Sequence, residues 1–278
     1  ELVNEMVREP ERYSMQAANR ELTVMFCDMR GFTAMSERME PVQLQALLNE
    51  IFSRLTQVIR QQRGTIDKYM GDCVMAFWGA PVATPEHATL AVRAALGMAQ
   101  AVHALNVEHR ARGLPEIGIG IGLNTGPMCV GDMGSDIRRS YTVIGDAVNL
   151  GSRLEGLCKV YGVEIVASES TRTQAQGFAW QELDRVRVKG KEQAVAIYRP
   201  AAEAGALDAG QQNALDRWHE WLAAFRAQDW PRCDSLWPGL VAAHAQRTLQ
   251  EFYSQRLSAL RVLPYNPAWD GSTHFDTK

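Results

Sequence analysis

Apolar residues follow two rhythms along this chain. The unbroken run Leu22-Thr-Val-Met-Phe-Cys-Asp28 and the segment Cys73-Val-Met-Ala-Phe-Trp78 read as β-strands, each with an acidic residue where strand meets turn. Between them, Leu44, Leu47, Leu48, Ile51, Leu55, Val58 and Ile59 keep helical spacing, with Pro41 suited to the first turn. Thr65 to Trp78 then predicts a hairpin around Gly71-Asp72. A second helix is expected from about Glu86 to Arg112, with alanine-rich packing positions. Ile117 to Thr125 alternates Ile and Gly, the pattern of a strand lying against other backbone, and Arg139 to Ile144 is another strand. A helix begins near Ala147 with Asp146 as its cap, short strands surround Glu164 to Ala167 and Gln181 to Val188, and Ala194 to Arg199 closes the unit. Two-residue turns mixed with crossing helices predict an α+β fold.

The pattern also sets boundaries. Residues 1–20 are polar, with Pro10 interrupting any helix, and read as a connector to an upstream region; residues 21–200 form the main domain. Residues 201–210 are small and polar, hence a linker, and 211–263 a helical extension. Within it Leu215, Trp218, Leu222 and Phe225 mark one helix, Pro231 opens a second, and Leu249 to Leu260 forms a third. The extension is either a single tetratricopeptide-like hairpin plus a helix or a cap covering the main domain, because one hairpin without repeats cannot bury its faces by stacking. Residues 264–278 read as a polar tail with isolated aromatics.

Composition narrows the function class. With 46% hydrophobic and 22% charged residues, the 278-residue chain has the make-up of an ordinary globular protein. A net charge of -3 argues against a nucleic-acid partner, which would want a basic stripe. The five cysteines, at 27, 73, 129, 158 and 233, include no Cys-x-x-Cys pair and read as reduced thiols in a cytoplasmic setting. No run of about 18 apolar residues is evident, so no direct membrane contact is expected of this chain. It opens at Glu1 rather than Met, as expected for the cytoplasmic part of a longer protein.

Asp28 and Asp72 are the candidate metal ligands. Magnesium takes one or two carboxylates and leaves its other positions to water and phosphate, so two strand-end aspartates suggest two-metal phosphoryl transfer. Taken singly, Asp28 is better explained as a turn cap and Asp72 as a hairpin residue. Together with their surroundings they say more. Phe26-Cys-Asp-Met-Arg-Gly-Phe-Thr33, Lys68-Tyr-Met-Gly-Asp72 and Tyr141-Thr-Val-Ile-Gly-Asp-Ala-Val-Asn149-Leu-Gly-Ser-Arg153 closely resemble the catalytic segments of the class III nucleotidyl cyclases, over residues 20 to 200 or so.

That resemblance implies a ferredoxin-like βαββαβ core with additions and an adenylyl cyclase that makes cyclic AMP and pyrophosphate from ATP. It implies two Mg²⁺ (or Mn²⁺) ions per site on Asp28, Asp72 and the Met29 main-chain carbonyl, with Gly31, Phe32 and Thr33 offering backbone N–H groups to phosphate. Asn149 and Arg153, four apart on one helix face, would orient the ribose and stabilise charge on the α-phosphate, and Lys189 would contact the terminal phosphates. Lys68, which only donates, matches adenine N1, and Thr142 can accept from N6; guanylyl members typically carry an acid where Lys68 stands. Family sites form between two domains arranged head to tail, so this chain, carrying both residue sets, is expected to form a homodimer. The Gly-Gly-Asp/Glu-Glu-Phe signature of diguanylate cyclases is missing from the hairpin. A guanylyl cyclase and a regulatory homology domain without turnover are the alternatives.

Overall fold

The computed structural model describes residues 16–188, 193–242 and 246–275. Strand β1 (Ala18–Arg30) is followed by a one-turn helix α1 (Phe32–Ser36) and the long α2 (Pro41–Gln61). The hairpin β2 (Thr65–Met70) and β3 (Cys73–Trp78), helix α3 (His87–Ala111) and β4 (Gly118–Gly134) come next. The sheet order β2-β3-β1-β4, antiparallel throughout, with α2 and α3 as its crossovers, is the expected ferredoxin-like core. Beyond it come β5 (Arg139–Ile144), α4 (Asp146–Tyr161), β6 (Ile165–Ser168), α5 (Glu169–Gln174), β7 (Phe178–Val188) and β8 (Val195–Glu203). The C-terminal part supplies α6 (Ala209–Arg226), α7 (Trp230–Ala242), α8 (Arg247–Leu260) and β9 (Thr273–Phe275).

Strand β1 is covered on both faces, which is why it reads as one apolar run rather than an alternation. Met25, Cys27 and Met29 face α2 and α3 in one core cluster; Leu22, Val24 and Phe26 face β5 and the start of α4 in another. By length and composition alone α3 is long and apolar enough to cross a membrane. Its Ala91, Val92, Ala95, Met98 and Val102 are instead buried against the sheet.

The second face is built on glycine. In β4, Ile119, Ile121 and Leu123 point to α2 and α3, while the intervening Gly120 and Gly122 lie under α4. A methyl group on Gly122 would stand 2.3 Å from the Glu155 amide nitrogen and 2.4 Å from the Gly151 carbonyl. Gly151 in turn leaves only 2.9 Å to Val24. The Ile-Gly alternation therefore does what it predicts: it lets a helix backbone rest on a strand backbone.

A third cluster joins α4 to the C-terminal helices. Leu154, Leu157 and Tyr161 of α4 and Leu183 and Val186 of β7 pack with Trp218, Trp221, Phe225, Tyr253 and Leu257. At its centre the fully buried Asp184 accepts from Tyr161 Oη at 2.8 Å and from Arg256 Nη1 at 3.1 Å, and also from the Thr273 hydroxyl. A buried carboxylate needs such satisfaction to be tolerated.

Several boundary expectations are corrected. The 201–210 linker is shorter, because β8 runs on to Glu203 beside β7, and Asp208 and Gln211 form a capping box that starts α6 at Ala209. The connector ends before Ala18, where β1 already pairs with β4; residues 1–15 lie outside the described residues. The tail is not merely polar: β9 pairs in parallel with β7, and Trp269 and Phe275 pack on the third cluster. Asp146 is the first residue of α4 rather than its cap; Gly145 holds that position without a side-chain bond. Asp146 still complements the helix dipole.

Gly122→Ala should destabilise the protein by about 3 kcal/mol, because neither backbone contact can recede. Urea denaturation followed by circular dichroism measures this, and an unchanged midpoint would mean that α4 can lift from β4 freely.

Candidate active site

Asp28 lies two residues before the end of β1, in register with Cys73 of β3. That pairing sets Asp72, in the turn opened by Gly71 at φ +66°, beside it. Burial first, and then the charge of Asp72, raise the Asp28 pKa above the usual carboxylate value, opposed by the Met29 backbone N–H bonded to it. Two carboxylates held together in a half-buried setting are what a divalent cation relieves. The Met29 side chain is buried on the opposite face, in the α2–α3 core. Gly31 follows at φ +75°, a left-handed turn with open space around its α-carbon, and Phe32 and Thr33 begin α1. Its glycine is needed for chain direction rather than for close approach.

Helix α4 brings a third carboxylate. Asn149 is exposed and Arg153 half-buried, one turn apart, and two residues further on Glu155 turns toward the sheet. Its Oε1 lies over Gly120, the partner of Asp28 in the β1–β4 register, at 2.6 Å from where a Cβ would stand. Burial and the neighbouring Asp28 push the Glu155 pKa up to about 7, with Arg30 pulling it down and Asp72 adding to the rise. The Cys73 thiol is pushed up to about 12, by burial and then by Asp28, Glu155 and Asp72. A thiol in these surroundings holds its proton, so the neighbouring oxygens are the readier ligands. Among the described residues no group of three or more His, Cys, Asp and Glu side chains forms a closed metal site.

The predicted base-reading residues also meet. Lys68 of β2 and Thr142 of β5 are joined through Asp67: the Thr142 hydroxyl donates to Asp67 Oδ2, and Lys68 Nζ stands 3.4 Å from Oδ1. Lys189 lies outside the described residues. Sequence reasoning singled out neither Glu155 nor Asp67. The one available signal was adjacency, since each lies within two residues of a motif position.

Known proteins resemble this chain in sequence and in fold. Residues 15–199 match the adenylate and guanylate cyclase catalytic domain, and the chain belongs to that family. An adenylate cyclase of Anabaena cylindrica is 39% identical over 194 residues, covering 67% of this chain and 38% of its own length. Adenylate cyclase 1 of Rhizobium meliloti is 38% identical over 199 residues, covering 71% of this chain and 30% of its own. The chain thus spans well under half of these relatives. Among solved structures, the adenylyl cyclase CyaB of P. aeruginosa aligns over 69% of this chain and 100% of its own, at 34% identity and a TM-score of 0.64. The guanylyl cyclase Cya2 aligns over 70% and 98%, at 32% identity and a TM-score of 0.62.

The raised Glu155 pKa has a definite sign. A carboxyl whose folded value lies above its unfolded 4.5 contributes stability that is complete below 4.5 and lost as pH rises to about 7. In the metal-free protein, Glu155→Gln should therefore flatten the fall in Tm across that window, leaving a smaller slope from Asp28, which shifts in the same direction. A slope as steep as wild type would remove Glu155 from the acidic group.

Proposed function

We propose that this chain is an adenylyl cyclase that converts ATP to 3′,5′-cyclic AMP and pyrophosphate at sites shared across a head-to-tail homodimer. The observation that carries the reading is the convergence of Asp28 with Asp72, combined with the meeting of Lys68 and Thr142 from separate strands. The 3′-hydroxyl loses its proton to water as it attacks the α-phosphate, the new P–O bond closes the ring, and the bond to the bridging oxygen of the leaving pyrophosphate breaks. The obstacle is a poor nucleophile approaching concentrated negative charge.

The donor set fits magnesium: two carboxylates that repel each other, oxygen donors only, and positions left over for phosphate and water. Asp28 and Asp72, with the Met29 carbonyl, would hold two Mg²⁺ or Mn²⁺ ions, which supply acidification of the hydroxyl and neutralisation of the triphosphate. The backbone N–H groups of Gly31, Phe32 and Thr33 and the Lys189 ammonium take phosphate oxygens. Asn149 positions the ribose, and Arg153 meets the charge growing on the α-phosphate. Lys68 donates to adenine N1, and Thr142 accepts from N6. Guanine would set its N1–H against the Lys68 donors, and unpaired polar groups of this kind discriminate strongly. The exposure of Asn149 suits a residue that completes a partner's site. ATP as substrate, together with five free thiols, fits a cytoplasmic location in a parent that anchors the domain elsewhere.

Asp28→Ala and Asp72→Ala should each lower cyclic AMP formation by about two to three orders of magnitude while circular dichroism stays that of wild type. Half the wild-type turnover in either variant would defeat the metal assignment.

Asp72→Ala and Arg153→Ala chains, each inactive alone, should recover activity when co-expressed with different tags. At random exchange about half the dimers are mixed and each has one intact site, so activity should approach roughly a quarter of wild type. Purified mixed dimers no more active than the single variants would place each site within one chain.

A further inference from the structure

Asp67 has no role in the catalytic scheme above, yet its side chain is only 1% exposed and its two oxygens face the two groups assigned to the base. Oδ2 accepts the Thr142 hydroxyl; Oδ1 has no hydrogen-bond partner among the described residues and stands 3.4 Å from Lys68 Nζ. The strand itself is arranged for this. Ile66 pairs with Ala76 and Lys68 with Met75, so Asp67 is the extra residue of a β-bulge. Consecutive residues of a regular strand point to opposite faces, and a bulge re-aims them, which lets Asp67 and Lys68 serve one locus.

We propose that Asp67 is a specificity-determining positioning residue that sets the hydrogen-bond polarity of the base pocket by holding the only proton of the Thr142 hydroxyl. The inference rests on the adenylyl cyclase reading and deepens it. A threonine hydroxyl has one proton and two lone pairs, and an ionised carboxylate can only accept. With its proton engaged by Asp67, Thr142 offers lone pairs alone to the base. It therefore receives the adenine N6 amine and faces guanine O6 acceptor against acceptor. A free threonine rotates and donates to O6, so threonine by itself is neutral between the two bases. The same carboxylate draws the Lys68 ammonium toward Thr142, which sets one donor beside one acceptor, the complement of the adenine edge. Asp67 touches neither substrate nor metal in this scheme; it acts through Thr142 and Lys68.

The test is the ratio of kcat/KM for ATP to that for GTP, with inosine triphosphate as a third substrate that carries O6 and N1–H without the 2-amino group. Asp67→Ala and Asp67→Leu both remove the acceptor, and leucine also fills the space if alanine fails to fold. Each should lower the ATP:GTP and ATP:ITP ratios by at least about tenfold, chiefly through gains or smaller losses with GTP and ITP. On a Thr142→Val background, where there is no hydroxyl to orient, Asp67→Leu should change the ratio by only about threefold, the part carried through Lys68, a non-additivity expected of residues acting as a unit. A merely structural role would depress all three substrates equally. Unchanged ratios in a folded variant, or equal effects with and without the Thr142 hydroxyl, would overturn the assignment while the adenylyl cyclase reading stands. A wild-type chain that prefers GTP or turns over neither nucleotide would overturn that reading and this inference with it.

Discussion

The contact on which the site depends is backbone against backbone, where α4 lies on β4 and β1. Gly120 and Gly122 on the strand side and Gly151 on the helix side remove the side chains that would hold the two layers apart. Helix and sheet are normally separated by interleaved side chains; here part of that layer is missing. The consequence is positional. Glu155 is carried down to the level of the β1 end, where Asp28 sits, and the helix face bearing Asn149 is left at the surface.

That closeness creates an electrostatic problem at the same place. Burial and the charge of Asp72 raise the Asp28 pKa, burial and the charges of Asp28 and Asp72 raise that of Glu155, and the surrounding Cys73 and Cys158 thiols, both pushed up to about 12, share the burial. Arg30 is the cation that opposes the rise at Glu155. Protons relieve a cluster of this kind, and a divalent cation held there would relieve it in the same way, so acidity and metal affinity would be one property seen from two sides.

Much of the core could be read from the chain because local pattern and tertiary need coincide there. The apolar run at Leu22–Cys27, the Leu47, Ile51, Leu55 and Ile59 stripe and the Gly71-Asp72 turn each encode their element within a few residues. The Ile-Gly alternation even announced the close approach. What escaped was whatever depends on long-range placement. Strand β9 has three residues and no periodicity, and exists because β7 offers an edge and Asp184 accepts from Thr273. Glu155 and Asp67 look like ordinary charged residues in helix and strand until the register brings them over Gly120 and against Thr142. Arg153 and Lys68 were visible only because they stand in recognisable motifs, since neither position is distinctive by spacing.

The third hydrophobic cluster bears on where this protein can be divided. The family match stops at residue 199, yet Tyr161 and Leu157, within that match, take their cover from Phe252, Tyr253 and Trp221, beyond it. Asp184 likewise takes its cation from Arg256 and a hydroxyl from Thr273. A chain cut at the homology border would therefore carry a bare aromatic patch and a stranded buried acid at the far end of the helix that holds Arg153. Ancestry and cooperativity draw their borders at different residues here, and the second border is the one that a truncation, a fusion junction or a transplanted domain must respect.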